Sequence, residues 1–285
     1  MTTQTTCYRH PDRSAGVSCQ RCDRPICPSC MVQASVGFQC PECAGAHKTK
    51  VVTGKAAFGG GAADPILTKV LIGINAAVYL LMVGLSGSAG RASGPVFEWG
   101  ATFGPLIAEG EWYRLVSGAF LHSGFIHLGM NMYLLWLLGS VLEPTLGRAR
   151  FGLLYAASLL GGALGIMLLS PDVAAVGASG AVFGLMGAMV VLQYRAGQNP
   201  FRSGIGTLVV LNLVITFAIP GIAIGAHVGG LAVGALAAFA ISLSPAVDSR
   251  GARTPVPTIA HITGLTVLCA VLAIMSVVAV NQHYV

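Results

Sequence analysis

Two residues that together could carry out nucleophilic catalysis stand at the beginnings of apolar runs. Ser179 lies in the segment GASG at 177–180, and His227 lies in the segment AHVGG at 226–230. A polar side chain within a lipid bilayer costs free energy, so a polar residue in a membrane span is a candidate for function. An imidazole can take the proton of a hydroxyl and so activate its oxygen as a nucleophile. The pair predicts a hydrolase that acts inside a membrane.

Two further polar residues, His127 and Asn131, are four positions apart and so share one face of a helix. An imidazole and an amide can each donate a hydrogen bond to the oxyanion that develops during acyl transfer. Hydrogen bonding between helices is the alternative interpretation, because polar residues often have this function in membrane proteins. Because the same chain also contains Ser179 and His227, the oxyanion interpretation is favoured.

The composition indicates the elements that position these residues. Of the 285 residues, 54% are hydrophobic and 9% are charged, whereas a soluble domain has about 25% charged residues. We therefore predict an all-α polytopic membrane protein. Seven apolar runs approach the ~20 residues that span a bilayer, and they cover 66–85, 125–142, 151–169, 179–194, 204–219, 225–243 and 259–280.

The distribution of basic residues predicts the orientation of these spans. If the N-terminus is cytoplasmic, 14 of the 16 Lys and Arg residues fall on the inner side and only Arg91 and Arg114 fall outside. Membrane proteins show this bias towards positive inner loops. It accounts for the net charge of +6 without a nucleic-acid partner. We expect a multi-pass protein of a bacterial plasma membrane, with its C-terminus extracytoplasmic and the four polar residues at one depth.

Small residues predict close approach of the spans that carry Ser179 and His227. GxxxG patterns occur at 180–184 and at 230–234, and small residues four apart let helix backbones come together. Phe183 follows Ser179 by one turn and could pack against the imidazole of His227. The fourth, fifth and sixth spans contain no Asp or Glu, so the residues allow a Ser–His dyad without a charged third member.

Seven of the eight cysteines lie near the N-terminus, in a region without an apolar core. Pairs with two intervening residues provide eight ligands, enough for two four-coordinate structural zinc ions. These ligands are Cys7 and His10, Cys19 and Cys22, Cys27 and Cys30, and Cys40 and Cys43. A disulfide framework is the alternative, but a reducing cytoplasm disfavours it, and one ligand is histidine. The spacing leaves open whether the pairs combine sequentially or in a cross-braced order.

The same patterns divide the chain into three parts. Residues 1–47 form a zinc-binding domain, residues 48–64 a flexible basic linker, and residues 65–285 the membrane domain. Because the first part has little core, metal binding would supply most of its folding free energy. Its full ligand sets leave no position for catalysis, so we expect a structural role and a cytoplasmic protein as candidate partner.

The membrane motifs together resemble those of the rhomboid intramembrane serine proteases. Besides the segments around Ser179 and His227, the resemblance includes the segment EWYR at 111–114 and the series His122, His127 and Asn131. It covers residues 65–245 and implies a six-helix rhomboid bundle, to which the last span adds one C-terminal transmembrane helix. A small zinc-stabilised domain precedes this bundle.

The resemblance also implies a function for each site residue. Ser179 would be the nucleophile and His227 the general base, while His127, Asn131 and the Ser179 backbone amide would form the oxyanion hole. The supporting residues would be Phe183, Gly177 and Gly180. Some members have tyrosine at the position of Phe183, so stacking is retained here without the hydroxyl.

The N-terminal region resembles a B-box-type zinc finger, which implies cross-braced sites. One site would contain Cys7, His10, Cys27 and Cys30, and the other would contain Cys19, Cys22, Cys40 and Cys43.

The expected activity is cleavage of single-span membrane proteins within or near their transmembrane segment, without a catalytic cofactor. The bilayer itself is a further expected partner. A catalytically inactive rhomboid-like protein that binds membrane clients is one alternative, although such proteins typically lack the serine or the histidine. A transporter is another, but the core of this chain has no acidic proton-coupling residue and no evident inverted repeat.

Overall fold

The chain divides into two compact units, residues 1–54 and residues 55–285. The computed structural model describes residues 5–33, 37–45, 64–90, 92–243 and 258–284. Almost all of the predicted linker, residues 48–63, lies outside the described residues. The domain boundaries drawn from the sequence therefore stay predictions.

Two short antiparallel hairpins, a 3-10 turn (Pro28–Cys30) and one α-helical turn form the described part of the N-terminal unit. Its elements are β1 (Val17–Ser18), β2 (Pro25–Ile26), β3 (Val32–Gln33), β4 (Phe38–Gln39) and α1 (Pro41–Gly45). β1 pairs with β2, and β3 pairs with β4. Ile26 and five cysteines are its buried core residues among those described. So small an apolar core agrees with folding that depends on metal ligation.

The second unit is a bundle of helices, and the predicted all-α membrane fold is confirmed. Its described helices are α2 (Ile66–Ser86), α3 (Pro95–Gly100), α4 (Gly104–Ala108), α5 (Arg114–Ser117), α6 (Phe125–Leu146), α7 (Arg148–Leu169), α8 (Ser179–Arg195), α9 (Ile205–Ala218), α10 (Ile224–Ser242) and α11 (Thr258–Tyr284). The short helices α3 to α5 lie in the long loop between α2 and α6.

Seven helices coincide with the seven predicted spans, but they differ in length. By length and composition, α2, α6, α7, α10 and α11 are able to cross a membrane. The other two are α8, with 17 residues, and α9, with 14 residues. At ~1.5 Å per residue these two helices reach about 26 and 21 Å, less than the ~30 Å of a hydrocarbon core.

Glycines let the backbones of α7, α8 and α10 come into direct contact. A Cβ atom added at Gly230 would overlap the carbonyl group of Gly180, and one added at Gly234 would overlap that of Gly184. On the other side of α10, a Cβ at Gly225 would overlap the carbonyl of Gly165 on α7. The GxxxG patterns of α8 and α10 therefore face each other, which brings the first turns of these two helices side by side.

A buried carboxylate at the end of α6 caps the beginning of α2. Glu143, with 2% of its surface exposed, accepts hydrogen bonds from the backbone N–H groups of Leu67 and Thr68 at 2.9 and 2.8 Å. The Thr68 hydroxyl donates a third hydrogen bond to it. These N–H groups belong to the first turn of α2, where no intrahelical acceptor exists. The contact ties α2 to the end of the bundle opposite to Ser179.

Candidate active site and metal sites

Ser179 is the first residue of α8, and its hydroxyl lies against His227. The Ser179 Oγ atom is 2.8 Å from the His227 Nε2 atom, across 48 residues of sequence. The preceding loop turns sharply into the helix, because Gly177 has a φ of +128°. The first N–H groups of a helix have no intrahelical acceptor and carry a partial positive charge. The hydroxyl therefore stands beside backbone donors as well as beside the imidazole.

His227 lies in the first turn of α10 and is held on two sides. Its ring stacks on the ring of Phe183, with 4.1 Å between the ring centroids and 14° between the ring planes. Its Nδ1 atom, on the side away from Ser179, is 2.7 Å from the hydroxyl of Thr216 on α9. Side chains of two other helices, α8 and α9, thus contact this imidazole, which has 8% of its surface exposed.

His127 faces the same point from α6. Its Nδ1 atom is the acceptor of the Ser123 backbone N–H at 3.3 Å and lies 3.0 Å from the Ser123 hydroxyl. Since Nδ1 accepts, the ring proton belongs on Nε2. A Cβ atom added at Gly177 would lie 2.9 Å from His127 Nε2 and 3.7 Å from Ser179 Oγ. The donor of His127 and the hydroxyl of Ser179 therefore flank a space that only a glycine leaves open.

Asn131 lies one turn beyond His127 on α6 and is buried. One of its amide N–H groups donates to the carbonyl of His127 at 2.9 Å. An amide nitrogen has two protons, so the second one remains able to serve an oxyanion. Asn131 and His127 both line the cavity that contains Ser179.

This cavity has a volume of about 1340 Å³ and joins the residues described above. Ser179, His227, His127 and Asn131 line it, together with residues of the loops before α6 and after α9. A space of this size accommodates several residues of an extended polypeptide as well as water. The site is therefore reachable by a substrate although it lies among apolar helices.

The loop between α2 and α6 supports the segment that leads to Ser179. Arg114 is buried, and its guanidinium donates to Glu111 Oε2 at 2.6 Å and to the Ala101 carbonyl at 3.0 Å. Thr102 forms a two-way backbone bridge with Ala175, at 3.0 and 2.9 Å. The hydrogen bonds that Tyr113 and Arg114 donate to Glu111 lower the pKa of this carboxyl group. The ion pair thus stabilises the loop between α2 and α6, and this loop in turn holds the segment before α8.

The eight predicted metal ligands form two clusters in the N-terminal unit. One contains Cys7, His10, Cys27 and Cys30, and the other contains Cys19, Cys22, Cys40 and Cys43. Within each cluster the ligand atoms lie within 4.8 Å of one another. The chain therefore groups the pairs in the cross-braced order.

The spacing inside the clusters fits a tetrahedral ion. The Sγ atoms of Cys22 and Cys40 are 3.8 Å apart, and a tetrahedral site with metal–sulfur bonds of about 2.3 Å requires about 3.8 Å. The His10 Nδ1 atom lies 3.3 to 3.9 Å from three cysteine sulfurs. Burial opposes ionisation of Cys7, but hydrogen bonds from backbone N–H groups lower the pKa of its thiol to about 6. Both clusters could therefore bind metal ions.

Comparison with known proteins assigns the family. A model described as the Rhomboid domain matches residues 109–244. Over 137 residues, the chain is 39% identical to YdcA of Bacillus subtilis, whose name places it among the rhomboid proteases, and the match covers 69% of YdcA and 47% of this chain. The chain belongs to the rhomboid family.

Two other rhomboid relatives are longer than the matched region. Rhomboid protease GluP of Bacillus subtilis is 35% identical over 193 residues, which are 66% of this chain and 37% of GluP. RHOMBOID-like protein 5 of Arabidopsis thaliana is 39% identical over 147 residues, which are 49% of this chain and 47% of that protein. The chain thus spans less than half of either of these two relatives.

The rhomboid domain brings together every membrane residue that the sequence singled out for the site. Gly177 and Gly180 leave room for His127 and for α10, and Phe183 packs on the imidazole. Sequence reasoning missed Thr216 and Ser123, which contact the two histidines. The sequence signal for Thr216 is a polar residue in an apolar span, and it is weak because threonines in membrane helices commonly bond to their own backbone.

Proposed function

We propose that this rhomboid protein is an intramembrane serine endopeptidase that uses a Ser179–His227 dyad. The observation that supports it most strongly is the 2.8 Å distance from Ser179 Oγ to His227 Nε2 at the wall of a 1340 Å³ cavity within membrane helices. The substrates are single-span membrane proteins, cut within or near the transmembrane segment. Two relatives bear the name rhomboid protease, which supports the same reaction.

The geometry suggests how each residue acts. His227 takes the proton of the Ser179 hydroxyl, whose oxygen attacks the carbonyl carbon of the scissile bond. Donors from His127, Asn131 and the Ser179 amide stabilise the oxyanion. His227 then gives its proton to the leaving amine, and a water molecule activated by the same imidazole hydrolyses the acyl-enzyme.

The decisive experiment combines probe labelling with substrate cleavage by protein reconstituted in liposomes. Wild type is expected to react with a fluorophosphonate probe and to cut a single-span model substrate, whereas Ser179→Ala and His227→Ala lose both reactions. Ser276→Ala is the matched control, because Ser276 is a buried serine of α11 bonded to its own helix at Leu272. Cleavage by Ser179→Ala at the wild-type rate would refute the proposal. Folded wild type that binds the substrate without cutting it would favour a client-binding protein.

We also propose that each N-terminal cluster binds one structural zinc ion. Three or four thiolates with at most one imidazole form a donor set typical of zinc, and the cross-braced spacing supports two ions. The ions have no part in the membrane chemistry. The cytoplasmic partner of this unit stays a prediction.

The proposed orientation places the N-terminus in the cytoplasm of a bacterium and the C-terminus outside. The support is the excess of basic residues in the predicted inner loops. Alkaline phosphatase fused after the last residue should be active, and a fusion after residue 64 should be inactive. The reverse pattern would overturn the orientation.

A further inference from the structure

Thr216 contacts the nitrogen of His227 that faces away from the nucleophile. It belongs to the last turn of α9, and its Oγ1 atom is 2.7 Å from His227 Nδ1. On the opposite side of the ring, Nε2 is 2.8 Å from Ser179 Oγ. Thr216 has 1% of its surface exposed, so bulk water does not reach the contact. The three side chains form a line from α9 through α10 to α8.

The number of available protons allows two arrangements of the hydrogen bonds in this line, and the Asn212 carbonyl favours the first. The Thr216 hydroxyl has one proton to donate. The carbonyl oxygen of Asn212 lies 2.7 Å away and can only accept a hydrogen bond. If the hydroxyl donates to Asn212, its oxygen accepts from His227, and the ring proton is on Nδ1. Nε2 then has its lone pair directed at the Ser179 hydroxyl.

The opposite arrangement would be incompatible with a general base. A Thr216 hydroxyl that donated to Nδ1 would force the ring proton onto Nε2, where it would point at Ser179. Such a ring could not take the serine proton. In soluble serine proteases a buried carboxylate selects the Nδ1–H tautomer, and the described parts of α8, α9 and α10 contain no acidic residue.

We infer that Thr216 is the positioning residue of His227: it selects the Nδ1–H tautomer and thereby leaves Nε2 free to act as the base. This inference rests on the proposed protease function and adds a third member to the dyad. Thr216 also accepts the Nδ1–H bond when His227 becomes an imidazolium, so its contribution grows in the transition state. A neutral hydroxyl attracts the imidazolium less strongly than a carboxylate does, so the effect of its loss should be smaller than in a charged triad.

The test compares three variants on α9 with wild type in liposomes, with kcat and KM measured separately for a single-span substrate. Thr216→Val keeps the shape of the side chain and removes the hydroxyl. It should lower kcat about tenfold, as expected for one buried hydrogen bond, and leave KM unchanged. Thr216→Ser should restore most of kcat. Thr207→Val, the same change at an exposed position of α9, should equal wild type.

Two results would overturn the inference. One is an unchanged kcat in Thr216→Val, and the other is a kcat for Thr216→Ser as low as that of Thr216→Val, which would indicate a packing defect. Should wild type lack activity altogether, the proposed function fails and a different readout tests the tautomer. In that case the ¹⁵N resonances of His227 in wild-type protein should show a protonated Nδ1. A protonated Nε2 would contradict the inference independently of any activity.

Discussion

Gly177 shows how little space separates the side chains of the proposed active site. A Cβ atom at this position would lie 2.7 Å from His127 Cε1 and would also face the Ser179 hydroxyl. We expect Gly177→Ala to displace His127 and to lower kcat/KM about 10²-fold, the size of effect that a shift of about 1 Å can produce. Steady-state cleavage of a model substrate measures this change.

The matched control separates the steric clash from backbone strain. Gly110 also has a positive φ, +104°, but a Cβ there would meet nothing within 4 Å. Gly110→Ala should therefore share the conformational penalty and retain near-normal activity. Equal losses in the two variants would mean that strain alone, and not the crowding of His127, explains the result.

Most residues of the candidate site could be predicted from the sequence because they are unusual in their surroundings. A serine and a histidine at the ends of apolar spans stand out without any knowledge of contacts. Thr216 does not stand out in this way, because threonines in membrane helices commonly bond to their own backbone, as Thr216 does with Asn212. Only the distance between α9 and α10 shows that its oxygen also meets His227.

At the scale of elements, the loop before α6 acts as a brace for α8. Glu111 accepts hydrogen bonds from Tyr113 at 2.8 Å and from Arg114 at 2.6 Å. Thr102 joins this network by donating to the Arg114 carbonyl at 2.9 Å, and it pairs with Ala175 on the way to Ser179. Disturbing the ion pair should therefore affect the segment that leads to Ser179.

The lowered pKa of Glu111 predicts a dependence on pH. Because the folded state favours the charged carboxylate, the pair stabilises the protein above the ordinary carboxyl pKa, and this stabilisation is lost as pH falls through the folded-state pKa. Glu111→Gln should lower the Tm at pH 7, and the difference from wild type should shrink towards pH 3. Thermal unfolding in detergent measures both. The same substitution at exposed Glu98 should change the Tm little at any pH, and a Glu111 effect independent of pH would contradict the argument.

The long helices could be predicted from apolar runs, whereas the short ones could not. Seven runs in the sequence coincide with seven helices because burial in lipid requires continuous apolar stretches. The helices α3, α4 and α5 have six residues or fewer, too few to be stable alone. Contacts outside each short helix hold them, such as those of Arg114 with Ala101 and of Thr102 with Ala175, and helix length does not reveal these contacts.

At the scale of the whole molecule, metal binding and membrane catalysis should be separable. We expect about two zinc ions per chain by elemental analysis, as two four-ligand clusters require. Cys22→Ser and Cys27→Ser should each reduce the metal content, whereas Cys269→Ser should not, because Cys269 lies in α11 outside both clusters.

Removal of the metal with a strong chelator should unfold the N-terminal unit. The rate of cleavage of a model transmembrane substrate should stay at its starting value, since no cluster ligand lines the cavity. Loss of cleavage on chelation, restored by added zinc, would show that the two units are coupled.

The sequence does not decide the grouping of the metal ligands, because all four pairs have the same two-residue spacing. Backbone pairing decides it. The hydrogen bond from Tyr8 N–H to the Pro25 carbonyl brings the first pair towards the third, and that from Gln20 N–H to the Phe38 carbonyl brings the second towards the fourth. Short hairpins of this kind depend on tertiary contacts, so spacing alone does not reveal them.

The position of the clusters in the chain has a consequence for biosynthesis. The last ligand, Cys43, is translated before α2 begins at Ile66, and N-terminal domains generally fold first during synthesis. With zinc bound as proposed, the unit could therefore close before α2 leaves the ribosome. A polypeptide crosses a translocation channel unfolded, so a metal-clamped N-terminus would be retained on the side where it was made. Metal supply during translation would then help to fix the direction in which every later helix is inserted.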